Sequence, residues 1–267
     1  MAKSETDLQS MIANGLDSKS LAWYESDLKE IPEPAKTLLE KYSKIPSDQV
    51  VQHVNGMFPY PCIGSFRFLD LSIPQSPVYP EILQRLKSGE KLLDVFDGVP
   101  SENLYSSDLR QDFYDIGYDL FADRDTLKSE FFQGDIFDNN SALIQNLTGK
   151  INIVNAASFF HLFNWDQQVI IAKQVVGLLA AQSGSLVIGR QVGYADPVDP
   201  DDKENAPKHY RHSPETWKRL WRQVGQDTGS KWEVQSTMET WGGQDHVFRK
   251  YHEGVETFKL RFVVRRL

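Results

Sequence analysis

From residue 81 onward, short apolar runs typical of β-strands alternate with segments of helical periodicity. Strand-like runs begin near Lys91, Asn103, Glu130, Ile151 and Ser185, and helical segments separate most of them. This alternation predicts an α/β fold with a mostly parallel sheet covered by helices on both faces. The last two β-rich runs, Trp232–Thr240 and Leu260–Arg265, lack a long helix between them. They predict an antiparallel end to the sheet.

The first eighty residues have a different pattern. Two helical segments, the first beginning at Pro34 and the second near Ser47, precede a proline-punctuated stretch with a possible short strand at 66–71. We therefore predict two parts, an N-terminal helical cap with a loop region at 1–80 and an α/β domain at 81–267. The cap is expected to cover the active-site face of the sheet.

Three successive predicted strands carry an acidic residue at or near the carboxyl end, namely Asp94, Asp108 and Asp135. Ligands of open α/β sheets bind outside the carboxyl ends of the strands. An acid after the second strand can accept hydrogen bonds from ribose hydroxyls, and one after the third can face an adenine amino group. Singly, each could be an ordinary turn or N-cap aspartate. In register on consecutive strands, they favour a nucleoside-like ligand.

Charge and composition exclude several classes of partner. The formal net charge is −8, which argues against nucleic acid or an anionic membrane surface because phosphate binding needs clustered Lys and Arg. Cys62 is the single cysteine, so an intrachain disulfide is impossible and a structural zinc site is not expected. The N-terminus lacks the pattern of a signal peptide and no run is long enough to span a bilayer. We therefore expect a cytoplasmic protein.

Several longer motifs extend from the N-terminal part to the last residue: WYESDL (23–28), LLDV (92–95), SENLYSSDL (101–109), FYDIGYDLFADRDTL (113–127), GDIFD (134–138), NAASFFHLFNWDQQ (155–168) and LRFVVRRL (260–267). In these motifs the chain resembles one protein family, the S-adenosylmethionine (SAM)-dependent methyltransferases of fungal meroterpenoid gene clusters. It implies a class I methyltransferase fold with a Rossmann-like, seven-stranded type of sheet. It also implies a homodimer that methylates a carboxyl group on a hydrophobic terpenoid intermediate.

The resemblance also assigns site residues by position. The expected cofactor contacts lie after the first four strands: Asp94 after the first, Asp108 and Leu109 on the ribose side, Asp135 and Ile136 beside the adenine, and Ala157 and Ser158 after the fourth strand. Tyr24 and Trp165 are expected substrate contacts. Arg190, at the end of the fifth strand, could pair with a substrate carboxylate in bidentate fashion or with a nearby acid.

The chain departs from the family after its first strand, where the family has a glycine-rich turn followed by a helix. Here only the segment 96–102, FDGVPSE, lies between Val95 and Asn103. Parallel strands need a crossover of roughly a dozen residues or more, and Pro100 discourages a helix. We therefore predict that Leu92–Val95 slips, loses its pairing or pairs with a different neighbour. We also predict weak SAM binding.

Two explanations of the short crossover remain open. One is that a segment of a working methyltransferase was lost from the gene model or by splicing, which the intact family sequence on both sides favours. Alternatively, the chain has abandoned SAM and uses its pocket as a terpenoid cyclase or isomerase, or it serves as an inactive dimer partner.

Three histidines are further candidates. His161 follows the fourth strand and could orient a carboxylate or act as a base, although a carboxylate is already ionised at pH 7. The alternative is a half-buried histidine bonded to the backbone. His209 and His212 have metal-like spacing, but a third ligand is not evident. We predict no metal site and interpret their segment as a mobile polar loop over the substrate entrance.

Overall fold

The computed structural model describes residues 28–56, 66–94, 103–240 and 256–267, although not the side chains of Arg67 and Asp94. It divides into two compact units. One consists of Met1–Asp70 with Leu120–Ala122, and the other of Leu71–Asp119 with Asp123–Leu267. The prediction put the division at 80/81, whereas residues 71–80 group with the sheet. The expected position of the cap over the active site stays a prediction.

The smaller unit contains two short helices, α1 (Glu33–Lys41) and α2 (Val50–Gly56). Each helix buries two apolar residues: Ala35, Leu39, Val50 and Val54. Pro32 and the first-turn acid of α1 suit a helix start, because proline needs no hydrogen-bond partner there. The predicted strand at 66–71 is wrong. A 3₁₀ helix (Arg67–Asp70) forms instead.

The larger unit is built on a mixed seven-stranded sheet with the strand order β3-β2-β1-β4-β5-β7-β6. The strands are β1 (Leu92–Asp94), β2 (Leu104–Asp108), β3 (Glu130–Gln133), β4 (Ile153–Asn155), β5 (Leu186–Tyr194), β6 (Trp232–Glu239) and β7 (Thr257–Arg266). Strands β1 to β5 pair in parallel, and β7 pairs antiparallel with both β5 and β6. The predicted α/β class and the antiparallel end are confirmed.

The prediction for the first strand is wrong. Strand β1 lies in the middle of the sheet, where Leu92 pairs with Leu104 on one side and Ile153 on the other. The physical reason is the shortness of the strand. A connection between parallel strands must run back along the length of a strand, which for three residues is about 10 Å. The eight residues 95–102 can span about 27 Å when extended. The chain length therefore suffices to connect the two parallel strands without a helix.

Five helices accompany the sheet in the described part of this unit: α3 (Tyr79–Lys87), α4 (Gln111–Phe121), α5 (Ala142–Leu147), α6 (Trp165–Leu178) and α7 (Pro214–Thr228). Helices α6 and α7 both begin with a capping box. In α7, Ser213 is the N-cap and Pro214 the first residue, a combination that suits a helix start. Helix α7 ends at Gly229, whose φ of +63° suits glycine. None of the described helices is long and apolar enough to cross a membrane.

Two apolar cores cover the two faces of the sheet. On one face, Ile82 and Leu86 of α3 pack with strand residues that include Leu92 and Ile188. The other core is larger, and it contains the buried sides of α6 and α7 together with five fully or nearly fully buried aromatic rings: Phe160, Tyr210, Trp217, Trp221 and Phe262. These cores hold the strands rigidly, so the residues at the strand ends have defined positions.

Candidate functional site

The acidic strand ends meet at one edge of the sheet. Asp94 ends β1 in register with Ser106 of β2 and Asn155 of β4, and Asp108 ends β2. The backbone N–H of Gly134 donates to the carbonyl of Asp108 at 3.1 Å, which brings Asp135 next to the end of β2. The predicted grouping of the three acids at the carboxyl edge therefore agrees with the strand register.

Asp108 has a carboxyl group whose pKa is raised above its ordinary value. Burial raises the pKa of its carboxyl group, although the hydrogen bond from the Arg110 N–H to Oδ1, at 2.9 Å, acts in the opposite direction. The adjacent Leu109 side chain is 63% exposed. A half-buried carboxylate at a strand end is a strong acceptor for ligand hydroxyl groups.

Asp135 and Ile136 lie in the turn that follows β3. Asp135 is exposed, and its Oδ1 accepts a hydrogen bond from the N–H of Phe137 at 2.9 Å. This is the turn geometry that aspartate commonly stabilises. Ile136 is half-buried against the edge of the larger core, so the turn presents one polar and one apolar side chain.

The end of β4 is tied to β5 through Ser158 and Arg190. The Ser158 N–H donates to the Arg190 carbonyl at 2.6 Å, and Arg190 Nη1 donates to Ser158 Oγ at 2.9 Å. Ser158 is exposed and has a φ of +54°, which is uncommon for a residue other than glycine. Ala157 beside it is buried. The structure therefore brings Ala157, Ser158 and Arg190 together at this edge.

His161 lies in a 3₁₀ helix, Phe160–Leu162, directly after this turn. Its side chain is 8% exposed, and the neighbouring Phe160 is fully buried against Trp217 of α7, with ring centroids 5.1 Å apart. Packing of Phe160 thus anchors the 3₁₀ helix that carries His161. His161 follows Ser158 closely enough in the chain to stay a candidate for the same site.

Trp165 is not placed with this group. It begins α6, is buried, and its ring packs against Tyr210 and His212 at centroid distances of 5.1 and 5.4 Å. Its Nε1 donates to Gln223 Oε1 at 3.3 Å. These contacts favour a packing role for Trp165. The other predicted substrate contact, Tyr24, lies outside the described residues.

Three aromatic side chains near the site were not predicted. Phe137, Phe159 and Phe163 are all partly buried, and their rings meet edge to face. Phe159 directly follows Ser158, and Phe137 follows the Asp135 turn. The phenylalanine-rich run after β4 was the available signal, but phenylalanines in a sequence more often indicate core. Their rings give the carboxyl edge an apolar side.

The prediction that His212 lies in a mobile polar loop is wrong. This side chain is completely buried, and its Nε2 lies 3.0 Å from Gln168 Oε1, while Nδ1 lies 3.1 Å from Thr216 Oγ1. Gln168 Nε2 in turn donates to the carbonyls of Phe163 and Tyr210. The network fastens the segment before α7 to α6. In the described ranges, no group of three His, Cys, Asp or Glu side chains could hold a metal.

The burial of His212 predicts a pH-dependent stability. Burial lowers the pKa of its imidazole from an ordinary value of 6.5 to about 3. Its contribution is complete above pH 6.5 and is lost as the pH falls, because only the unfolded chain then takes up the proton. We expect a loss of about 2 kcal/mol in unfolding free energy between pH 7 and pH 5 from this group.

Urea denaturation at both pH values compares the wild type with His212→Gln, which cannot titrate there. The decrease between pH 7 and pH 5 should be about 2 kcal/mol smaller in the variant. An equal decrease in the two proteins contradicts the assignment of this titration to His212.

Comparisons with known proteins agree on one family. The model of the meroterpenoid methyltransferase N-terminal domain matches residues 23–69. The chain is 42% identical to methyltransferase adrK of Penicillium rubens, covering 92% of this chain and 94% of that one. It is 44% identical to the asnovolin E/chermesin D methyltransferase nvfJ of Aspergillus novofumigatus, with coverage of 90% and 91%. It is 43% identical to the O-methyltransferase phiE of a fungal species, with coverage of 91% and 87%.

These alignments also measure the departure from the family. The three alignments are 265, 258 and 264 positions long, but they include only 92%, 90% and 91% of the 267 residues of this chain. About 20 aligned positions of each relative therefore have no counterpart in this chain. A turn and a helix of ordinary length amount to about this number of residues.

The fold comparison gives the same architecture. The crystal structure of the CurJ carbon methyltransferase aligns with a TM-score of 0.51 at 14% identity, covering 97% of this chain and 70% of that one. Together with the 42–44% identity to curated relatives over nine-tenths of the chain, this agreement identifies the protein as a member of the fungal meroterpenoid methyltransferase family, with a class I methyltransferase fold.

Proposed function

We propose that the protein transfers a methyl group from SAM to a carboxylate of a hydrophobic meroterpenoid intermediate. Family membership supports methyl transfer in meroterpenoid biosynthesis. The observation that carries the finer proposal is the position of Arg190, a buried cation at the same sheet edge as Asp108. Acceptors for a nucleoside and a donor for an anion thus flank one site.

The residues present fit the nucleoside half of SAM. Asp108 offers its carboxylate to the ribose hydroxyls, and Asp135 with Ile136 would lie beside the adenine, across from Ala157. The methionine half depends on residues 95–102, where Gly98 is the only glycine. When bound, SAM supplies an electrophilic methyl group on a sulfonium sulfur.

The carboxylate nucleophile needs little chemical activation. It is ionised at pH 7, so no general base is required. The protein's task is then to hold the reacting oxygen in line with the methyl group, which alone can supply a large share of the rate enhancement. Arg190 would hold the carboxylate through its planar guanidinium, and His161 would orient it. The rings of Phe137, Phe159 and Phe163 would contact the apolar skeleton.

The missing segment favours a second candidate function. About 20 positions of the relatives have no counterpart in this chain, and we infer that part of the cofactor site is lost with them. Such a chain would act without SAM as a terpenoid cyclase or isomerase, or as an inactive partner in a homodimer.

Light scattering of the purified chain tests the dimer. We also propose that the protein acts in the cytoplasm.

The test is incubation with deuteromethyl-labelled SAM and meroterpenoid acceptors, starting with asnovolin E and chermesin D, followed by mass spectrometry. We expect a labelled product whose methyl group is released as methanol by mild base, because esters are cleaved and ethers or carbon-bound methyl groups are not. A labelled but base-stable product contradicts carboxyl methylation. An acceptor converted equally without SAM favours the second candidate.

A further inference from the structure

Two buried arginines lie directly opposite each other in the sheet. Arg190 of β5 pairs in register with Arg261 of β7, and they are 6% and 8% exposed. Directly opposed residues of an antiparallel pair project to the same face, where like charges repel each other. The protein therefore concentrates positive charge at this position in spite of an electrostatic cost.

Arg261 is rigidly held. Its Nε donates to Glu239 Oε1 at 2.9 Å, and its Nη2 donates to Gln75 Oε1 at 3.0 Å. Lys259 also pairs with Glu239, at 3.4 Å. Two cationic side chains thus bind the carboxylate of Glu239, and Arg190 lies opposite one of them on the same face of the sheet. The local charge is opposite in sign to the net charge of −8 of the whole chain.

Ser158 holds Arg190 from the other side. Its backbone N–H and its hydroxyl bond the carbonyl and the guanidinium of the same arginine, at 2.6 and 2.9 Å. A φ of +54° is unfavourable for serine, so contacts with the surrounding residues must stabilise that conformation. The two hydrogen bonds to Arg190 give the physical reason, because the left-handed turn brings both groups of Ser158 to the arginine.

The cationic pair lies at the carboxyl edge. Strand β4 ends at Asn155, which pairs with Ile188, so Arg190 lies two residues beyond that level. Phe159, partly exposed to its surroundings, follows Ser158. Ser158, which bonds Arg190, directly precedes this apolar ring. A fixed cation in this setting suits an amphiphilic anion, which would place its charge on the arginine.

We propose that Arg190 and Arg261 form an anion subsite for the carboxylate of a polycyclic terpenoid acid, and that Ser158 is the positioning residue for Arg190. This deepens the proposed function and rests on it for the identity of the anion. It also moves Ser158, which the resemblance assigned to the cofactor, to the substrate side. Arg190 is the contact residue, and Arg261 contributes its charge from the neighbouring strand.

The experiment measures binding without SAM, so that it does not depend on methyl transfer. The probes are abietate, a diterpenoid carboxylate, and its uncharged methyl ester, titrated calorimetrically into the full chain. We expect abietate to bind at least about tenfold more tightly than the ester, since hydrogen bonds to charged groups are the stronger ones. Equal binding of both probes, or binding of neither, overturns the anion subsite.

Variants separate positioning from general structure. Ser158→Ala and Ser158→Gly both lose the hydroxyl, and only the glycine relieves the positive φ. We expect both to weaken abietate about fivefold to tenfold and to leave the ester unchanged, whereas Ser158→Thr keeps wild-type affinity. The control Arg222→Gln, which removes an exposed charge from α7, should bind like the wild type. Equal losses for acid and ester in Ser158→Ala overturn the positioning role.

These results are distinguishable from failure of the proposed function. If abietate binds selectively but no methyl ester forms with SAM, the anion subsite stands and carboxyl methylation fails. If a methyl ester forms while Ser158→Ala and Arg190→Gln keep the acid-over-ester preference, the subsite is wrong and the reaction stands.

Discussion

Insertion of the missing segment should raise the affinity for S-adenosylhomocysteine by about 100-fold or more. The segment is a glycine-rich turn followed by a helix, about 20 residues in all, placed between Val95 and Phe96, where the sequence departs from the family pattern. The chain as it stands should bind with a dissociation constant above about 100 μM. Two or three backbone hydrogen bonds to a charged ligand account for a difference of this size.

The physical reason is close approach of the backbone. Glycines after the first strand let N–H groups reach a ligand without interference from a Cβ atom, and a helix beginning there adds its N-terminal dipole. Gly98 alone does not supply such a run. Strand β1 already lies between β2 and β4, so the insertion adds a crossover to a sheet that is in place.

Calorimetric titration of both chains checks this prediction. The matched control is an insertion of equal length in which every glycine is replaced by alanine, which should restore the crossover but not the affinity. Low-micromolar binding by the chain as it stands contradicts the prediction. Failure of both inserted and original chains to bind moves the search to chemistry without SAM.

Replacement of Trp217 by alanine should remove about 3–5 kcal/mol of unfolding free energy. Trp217 is fully buried, and its ring lies 4.6 Å from that of Phe262 and 5.1 Å from that of Phe160. Its loss leaves a cavity between α7 and the sheet. Since domains are stable by only about 5–15 kcal/mol in total, the variant should be close to unfolding at 37 °C.

Urea denaturation at 25 °C measures the loss. Trp217→Phe should cost about 1–2 kcal/mol, because most of the ring contact persists. The indole Nε1 also has no hydrogen-bond partner among the residues that the structure describes, so no bond is lost with it. Ile170→Ala, at a site that is 47% exposed, should stay within about 0.5 kcal/mol of the wild type. A loss below about 1 kcal/mol for Trp217→Ala contradicts the core assignment.

Local sequence patterns determined the elements and their order. Alternation of apolar strands and amphipathic helices predicted the α/β class, and the pair of late β runs predicted the antiparallel end. Ser213 and Pro214 determine the start of α7, because capping depends on neighbouring residues only. The family motifs added the class I methyltransferase fold.

Tertiary structure alone decided three features. β1 occupies the centre of the sheet because apolar Leu92 and Leu93 gain two pairing partners there, a benefit that outweighs the short crossover. His212 lies in the core and not in the predicted polar loop, because its ring forms a hydrogen bond there with Gln168, which is 44 residues earlier in the chain. The opposition of Arg190 and Arg261 depends on the β5–β7 register. Such contacts join distant parts of the chain, and no local pattern encodes them.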